Sequence, residues 1–347
     1  MTMIQERRPK APSDAAGSDV LLEVRGLTVE YAGATGAVRA CADVTFDLQR
    51  GEILGVVGES GSGKSTLITA LTRLQRPPAV TTAGSVVYHP GEGGAGIDLV
   101  QLSPRRLRGL RWTRLSIVLQ SAMDALNPVT RVGEQFVDVL RTHDRSMSRA
   151  AAWEEARRLL GLVGISADRA RSFPHELSGG MRQRATIALA LACRPELVVM
   201  DEPTTAVDVV MQRQILAQVL RLRRELGFAV VFVTHDLSLL LELADRIAVM
   251  YAGRIVELAA SREIYRSPLH PYTQGLRDSF PPLHAPIQRL EGIPGTPPDL
   301  RLLPAGCPFA PRCPHAFDRC RSELPQLTPH GERSVACHLR EPEEVGS

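Results

Sequence analysis

Four continuous apolar runs stand out along the chain: ILGVVG from Ile53, LVVMD from Leu197, AVVFVTH from Ala229 and IAVMY from Ile247. A strand reads this way when helices cover both its faces, so no alternation with polar residues survives. Between these runs apolar residues recur at helical spacing. STLITALTRL follows the first, MRQRATIALALAC precedes the second, and VVMQRQILAQVLRLRREL separates the second from the third. Strands alternating with helices predict an α/β fold, a mainly parallel sheet with helices on its faces. Upstream, LLEVRGLTVEY and VRACADVTFDL are β-rich. A helical insertion over roughly residues 130 to 176 includes AAAWEEARRLLGLVG, with its apolar residues on one face. Past about residue 260 prolines crowd from Pro268 to Pro329, which opposes long regular elements and predicts a compact irregular module. The expected division is a polar disordered tail over residues 1–19, a main domain over 20–260 and a C-terminal extension over 261–347, with no internal repeat.

Composition adds limits. A chain of 347 residues exceeds one ordinary core, which fits a large domain plus a smaller one. Hydrophobic residues make up 44% of it, yet no apolar run approaches the roughly 18 residues of a membrane helix. The N-terminus has no apolar signal core either, so a cytoplasmic location is expected. Forty-one basic and 38 acidic residues leave a net charge of +3, too near balance for a nucleic-acid binder. The stretch SPRRLRGLRWTR, Ser103 to Arg114, reads as a solvated helix face, with an RNA-contacting strip as the alternative. Cys41 and Cys193 stand alone and read as small buried hydrophobes. Cys307, Cys313, Cys320 and Cys337 crowd the tail, and in a reducing compartment such a cluster suggests a metal rather than disulfides.

The strongest chemical signal runs from Gly58 through Glu59, Ser60, Gly61, Ser62, Gly63, Lys64 and Ser65 to Thr66. It is a phosphate loop, placed after a buried strand and before a helix as the motif requires. Its glycines turn backbone N–H groups towards a β-phosphate at a helix N-terminus that favours anions. Lys64 is expected to reach the β- and γ-phosphates and the Ser65 hydroxyl to bind Mg²⁺. In LVVMDEP an apolar strand delivers Asp201 and Glu202 at its carboxyl end, the ligand-binding edge of open α/β sheets. Asp201 would hold Mg²⁺ through water and Glu202 would deprotonate the water that attacks the γ-phosphate. Between these motifs lies LSGGMRQR, Leu177 to Arg184, where Ser178, Gly179 and Gly180 precede a helix and offer hydroxyl, amides and dipole to a phosphate; a capped helix start is the plainer reading.

With that signature the chain resembles an ATP-binding cassette (ABC) ATPase. The resemblance runs in order from Tyr31 through the phosphate loop (Walker A), Gln120, the signature and the Walker B strand to Thr234-His235-Asp236. It implies a P-loop fold with a RecA-like core, a β-subdomain and a helical signature lobe, followed by the small C-terminal module. It further implies that Tyr31 stacks on adenine, that Gln120 senses Mg²⁺ and the transport subunit, and that His235 contacts the γ-phosphate in the transition state. Taken singly, Tyr31 is an ordinary strand aromatic, Gln120 a solvated strand end and His235 a core histidine. Asp208 closes the loop after Walker B, where Val207 replaces a commoner leucine at little cost in volume. In such proteins the signature faces the ATP of a second subunit, so hydrolysis is expected to need a partner ATPase.

LQSAMDALNP around Gln120, FPHELSGGMRQR, and HPYTQGL from His270 to Leu276 are similar to the oligopeptide and dipeptide importer subfamily. CPFAPRCPHAFDRC followed by VACHL resembles that subfamily's C-terminal extension, whose four cysteines are associated with a [4Fe–4S] cluster; this implies Cys307, Cys313, Cys320 and Cys337 as ligands. Zinc is the alternative, with His315 and His338 as substitute ligands, although zinc sites usually contain a tighter Cys-x2–4-Cys knuckle. Unligated thiols in a packed module are the third reading. The expected function is therefore the ATP-hydrolysing subunit of an importer for peptides or related solutes, peripheral on the cytoplasmic face of the membrane. Its expected partners are two permease subunits, a related second ATPase and, indirectly, an extracytoplasmic binding protein, with no nucleic acid. Nickel chelates, glutathione and sugars remain as solutes. A soluble ABC ATPase acting on nucleic acid or ribosomes is the competing class, disfavoured by a single phosphate loop and by the tail. An electron-transfer engine is a third.

Overall fold

The computed structural model describes residues 19–33, 36–91, 94–120, 125–204, 208–279 and 292–340. The expected tail through residue 18, Ser121 to Asp124, and Thr205 to Val207 lie outside the described residues.

β1 (Val20–Tyr31) and β2 (Val38–Gln49) pair antiparallel. β3 (Ile53–Val57) leads into α1 (Lys64–Leu71). β4 (Ala79–Tyr88) and β5 (Ile97–Asp98) return beside β1, giving a four-stranded antiparallel sheet in the order β2-β1-β4-β5. Buried and part-exposed residues alternate in these upstream runs because only one face of this sheet is covered.

The chain continues through α2 (Pro104–Leu110), β6 (Leu115–Val118), α3 (Val132–His143), α4 (Arg149–Leu162) and α5 (Gly179–Ala190). Then come β7 (Leu197–Asp201), α6 (Val209–Leu226), β8 (Ala229–Thr234), α7 (Leu237–Leu243), β9 (Arg246–Tyr251) and β10 (Arg254–Ala260). The tail holds α8 (Ser261–Arg266), α9 (Pro271–Asp278), α10 (Asp318–Ser322), β11 (Thr328–His330) and β12 (Arg333–Val335).

The main sheet runs β11-β12-β10-β9-β3-β8-β7-β6. Its strands from β9 to β6 are parallel, and β10, β12 and β11 extend it antiparallel. The apolar runs serve both faces. Ile53, Val57, Met200 and Phe232 join the core that holds α5, α6 and the α3–α4 pair. Leu54, Val56, Val199 and Val231 face Leu67, Ile68 and Leu71 of α1 and the inner side of the first sheet. Cys41 lies in that second core, where burial pushes its thiol to about 12. The tail departs from an irregular module in one respect: its hairpin joins the main sheet, with Val335 opposite Glu257. Three-residue strands are too short to show a period of two, so the sequence carries no sign of them.

Parallel pairing brings the functional strand ends to one edge. Val57 pairs with Thr234, and Asp201 pairs with Val233. Val118 pairs with Met200, which brings Gln120 alongside.

Candidate functional site

The loop from Gly58 to Gly63 needs its glycines sterically. Gly63 caps α1 at φ 101°, and a Cβ there would lie 2.2 Å from the Ala40 carbonyl oxygen. A Cβ on Gly58 would lie equally close to the Met250 carbonyl oxygen. The buried Lys64 ammonium donates to the carbonyls of Gly58 (2.8 Å) and Glu59 (2.9 Å), so it lies across its own loop. Burial holds its pKa below the ordinary lysine value, opposed by the charges of Glu202, Asp201 and Glu59. Ser60, Gly61 and Ser65 are exposed, while Ser62 is buried with its hydroxyl unpaired among the described residues. The Tyr31 hydroxyl lies 3.2 Å from that of Thr66, tying the end of β1 to the loop.

Asp201 and Glu202 differ although adjacent. Burial raises the Asp201 carboxyl to about 6, and the neighbouring Glu202 charge adds to this, while the Ser65 hydroxyl and Lys64 pull it down. Its Oδ1 is buried without a hydrogen-bond partner among the described residues. A buried carboxylate oxygen of this kind calls for a cation or ordered water, and with the exposed Ser65 hydroxyl nearby the pair fits Mg²⁺ held by oxygen ligands. Glu202 takes φ 42°, a left-handed conformation that costs a non-glycine residue about 1–3 kcal/mol and concentrates at functional sites. The turn aims its carboxylate between two partners. Gln120 Nε2 donates to Oε2 at 2.9 Å, and His235 Nδ1 lies 3.2 Å from Oε1. Glu202 is thus mostly shielded while His235 remains 65% exposed. The structure brings Lys64, Asp201, Glu202, Gln120 and His235 together from the ends of four strands.

Ser178, Gly179 and Gly180 lie elsewhere, at the start of α5. The Ser178 hydroxyl caps that helix by accepting from Met181 N at 3.3 Å. No hydrogen bond joins these three residues to the phosphate loop among the described residues. Gln183 Nε2 donates to the Pro203 carbonyl, so α5 is tied to the turn after Glu202. Asp208 caps α6, accepting from Met211 N at 2.9 Å; the Val207 departure lies outside the described residues. Two of the five arginines between Ser103 and Arg114 serve the fold: Arg111 donates to the carbonyls of Thr72 and Arg73, and Arg114 pairs with Glu196.

A model of the ABC transporter family matches residues 41–205, and one of the oligopeptide/dipeptide transporter C-terminal region matches residues 256–320. The oligopeptide transport ATP-binding protein OppD of Salmonella typhimurium is 44% identical over 93% of this chain and 93% of its own. The dipeptide transport ATP-binding protein DppD of Bacillus subtilis is 41% identical over 92% of this chain and 95% of its own. The chain belongs to the ABC transporter ATP-binding proteins. Among solved structures the ABC cassette MJ0796, a dimer in a post-hydrolysis state bound to ADP and Pi, superposes with a TM-score of 0.61 at 28% identity, covering 70% of this chain and 99% of that one. The fold is the P-loop ABC ATPase fold, and the activity is ATP hydrolysis coupled to transport. No helix among the described residues is long and apolar enough to cross a membrane.

In this ABC ATPase the four tail cysteines line one small, mostly enclosed cavity with His270, His315 and His338. Among the described residues no group of three or more His, Cys, Asp or Glu side chains is placed to hold a metal ion. The expected cluster ligands and the zinc alternative therefore have no ready-made ion site. Burial raises the thiols of Cys307, Cys313 and Cys337, the last to about 11.

One contact was not legible beforehand. Arg312, 6% exposed, forms a two-pronged ion pair with Glu59 of the phosphate loop at 2.7 and 3.0 Å. The Tyr272 hydroxyl accepts from the Glu59 N–H at 2.9 Å. Tyr251, Tyr272 and Phe309 pack ring to ring beneath the pair, with centroids 4.6–5.5 Å apart. A separation of 253 residues hides this pairing from any local pattern.

Proposed function

We propose that this subunit hydrolyses Mg·ATP to power uptake of oligopeptides or dipeptides through membrane permease subunits, from a peripheral position on the cytoplasmic face. The observation that carries the mechanism is the Glu202 carboxylate, held between Gln120 and His235 at the strand edge beside Lys64. In this reading the loop N–H groups and Lys64 take the phosphates, Lys64 exchanging its bonds to Gly58 and Glu59 for phosphate oxygens. Ser65, Asp201 and Gln120 hold Mg²⁺, which neutralises charge on the phosphates when bound. Glu202 takes the proton of the attacking water, His235 meets the γ-phosphate, and Tyr31 stacks on adenine.

Ser178 and its glycines then serve a second ATPase across the dimer, a related subunit rather than a second copy. Dimerisation is supported by the dimeric state of MJ0796 and by the placing of the signature at the start of α5, whereas its own phosphate loop leads into α1. Val209 and Val210 beside Asp208 are 67% and 68% exposed, as a surface awaiting a partner would be. Leu119 beside Gln120, 44% exposed, and Val129 at the entry to the helical lobe, 81% exposed, support permease docking there. The four cysteines are read as ligands of an iron–sulfur cluster. Support comes from their shared cavity, which all four thiols line.

The test uses tagged Glu202→Gln protein, purified from native membranes with Mg·ATP. Hydrolysis is expected to fall about 10²- to 10⁴-fold while ATP stays bound, and two multi-span permeases with a second ATPase should co-purify. Wild-type turnover would remove Glu202 from its role, and ribosomal or purely soluble partners would overturn the transport reading.

A further inference from the structure

The phosphate loop carries an acid in an unfavourable place. Glu59 sits between Gly58 and Ser60, where a free carboxylate would repel incoming phosphates and compete with them for Lys64. Its charge is already felt at Lys64. What occupies that carboxylate comes from the other end of the chain. Both prongs of the Arg312 guanidinium are on Glu59. The remaining N–H groups are spent on the Pro294 carbonyl at 2.7 Å, on Ile293 and Gly295, and on the Tyr251 hydroxyl. The guanidinium also lies 5.9 Å from the ring centres of Tyr251 and Phe309. A planar fork locked on every side presents its two donors in one geometry, which a flexible lysine would not.

We infer that Arg312 is a positioning residue for nucleotide binding: it withdraws the Glu59 carboxylate from the phosphate site and holds the loop open for ATP from the C-terminal module. The inference rests on the phosphate-loop reading above and extends it beyond residues 41–205, the span matched as ABC transporter. Arg312 ends the short turn Ala310–Arg312, which lies between Cys307 and Cys313. Whatever holds those thiols together therefore fixes the arginine, and through it the loop. The tail becomes a device that acts on ATP affinity.

The full-length protein is titrated with a non-hydrolysable Mg·ATP analogue as wild type, Arg312→Met, Glu59→Gln, the double variant and Lys64→Ala. Arg312→Met is expected to weaken binding about tenfold or more, equivalent to the loss of one charge-assisted contact. In the Glu59→Gln background the same change should cost less than about threefold, because no carboxylate remains to withdraw. A tail that merely stabilises the fold would show no such rescue. Arg312→Lys, which keeps the charge but loses the fork, should fall between and provides the reading if the methionine variant does not fold. Binding by Arg312→Met within about twofold of wild type, or a double variant as weak as Arg312→Met, overturns the inference. Equal binding by wild type and Lys64→Ala overturns the phosphate-loop reading itself, and this inference with it.

Discussion

At the scale of residues, the site separates two adjacent carboxylates by environment. Asp201 is buried with one carboxylate oxygen unpaired among the described residues, and Glu202 is turned into a bridge between Gln120 and His235. The raised pKa of Asp201 sets a pH dependence whose sign can be worked out. Its folded value, about 6, lies above the ordinary 3.8, so the ligand-free fold binds this proton more tightly than the unfolded chain does. Stability from Asp201 is then full below about 4 and lost as pH rises through about 6. Mg²⁺ needs the ionised form, so the extra stability conferred by Mg·ATP should grow over the same interval. Thermal unfolding at pH 5, 6 and 7 with and without Mg·ATP should show the gap widening with pH, and Asp201→Asn should flatten it. A gap that stays constant in the wild type would separate Asp201 from the metal. The identities of these residues were legible because each sits at the end of an apolar strand; the bridge between Gln120, Glu202 and His235 was not, since it depends on strand order.

At the scale of elements, the link between β3 and α1 is tightly constrained. Gly63 adopts a backbone that side chains rarely take, and the Ala40 carbonyl of β2 closes the space a methyl group would need. Gly63→Ala should therefore shift either the loop or β2. Strain at such a position costs about 1–3 kcal/mol, and the loss of aligned N–H groups should weaken nucleotide binding well beyond what that instability explains. Calorimetric titration alongside a melting curve would separate the two effects; unchanged affinity would show that the loop tolerates a side chain there. The neighbouring elements follow ordinary rules. Ser178, Asp208 and Asp236 each cap the helix that follows, and Gly227 ends α6 at φ 77°. These caps are written locally, so the helix starts could be read from the chain.

At the scale of the whole molecule, the tail is packed into the main domain rather than appended to it. It adds a hairpin to the main sheet through Val335, seats Phe309 against Tyr251 and Tyr272, and reaches Glu59 through Arg312. Anaerobically purified protein should carry about four irons with matching sulfide per chain, and Cys313→Ser should lose them; a full complement of zinc, or no metal at all, would overturn the cluster. What the sequence determined by itself was whatever depends on neighbours along the chain. The buried strands show as unbroken apolar runs, the helices as periodic ones, and the phosphate loop, Asp201-Glu202 and LSGGMRQR as fixed spacings that backbone geometry requires. The tertiary structure alone decided which of those pieces meet. Strand order puts Gln120 and His235 on either side of Glu202, and packing brings Arg312 to Glu59 across 253 residues. Such contacts arise from burial and close approach between distant segments, which leave no periodic trace in either segment.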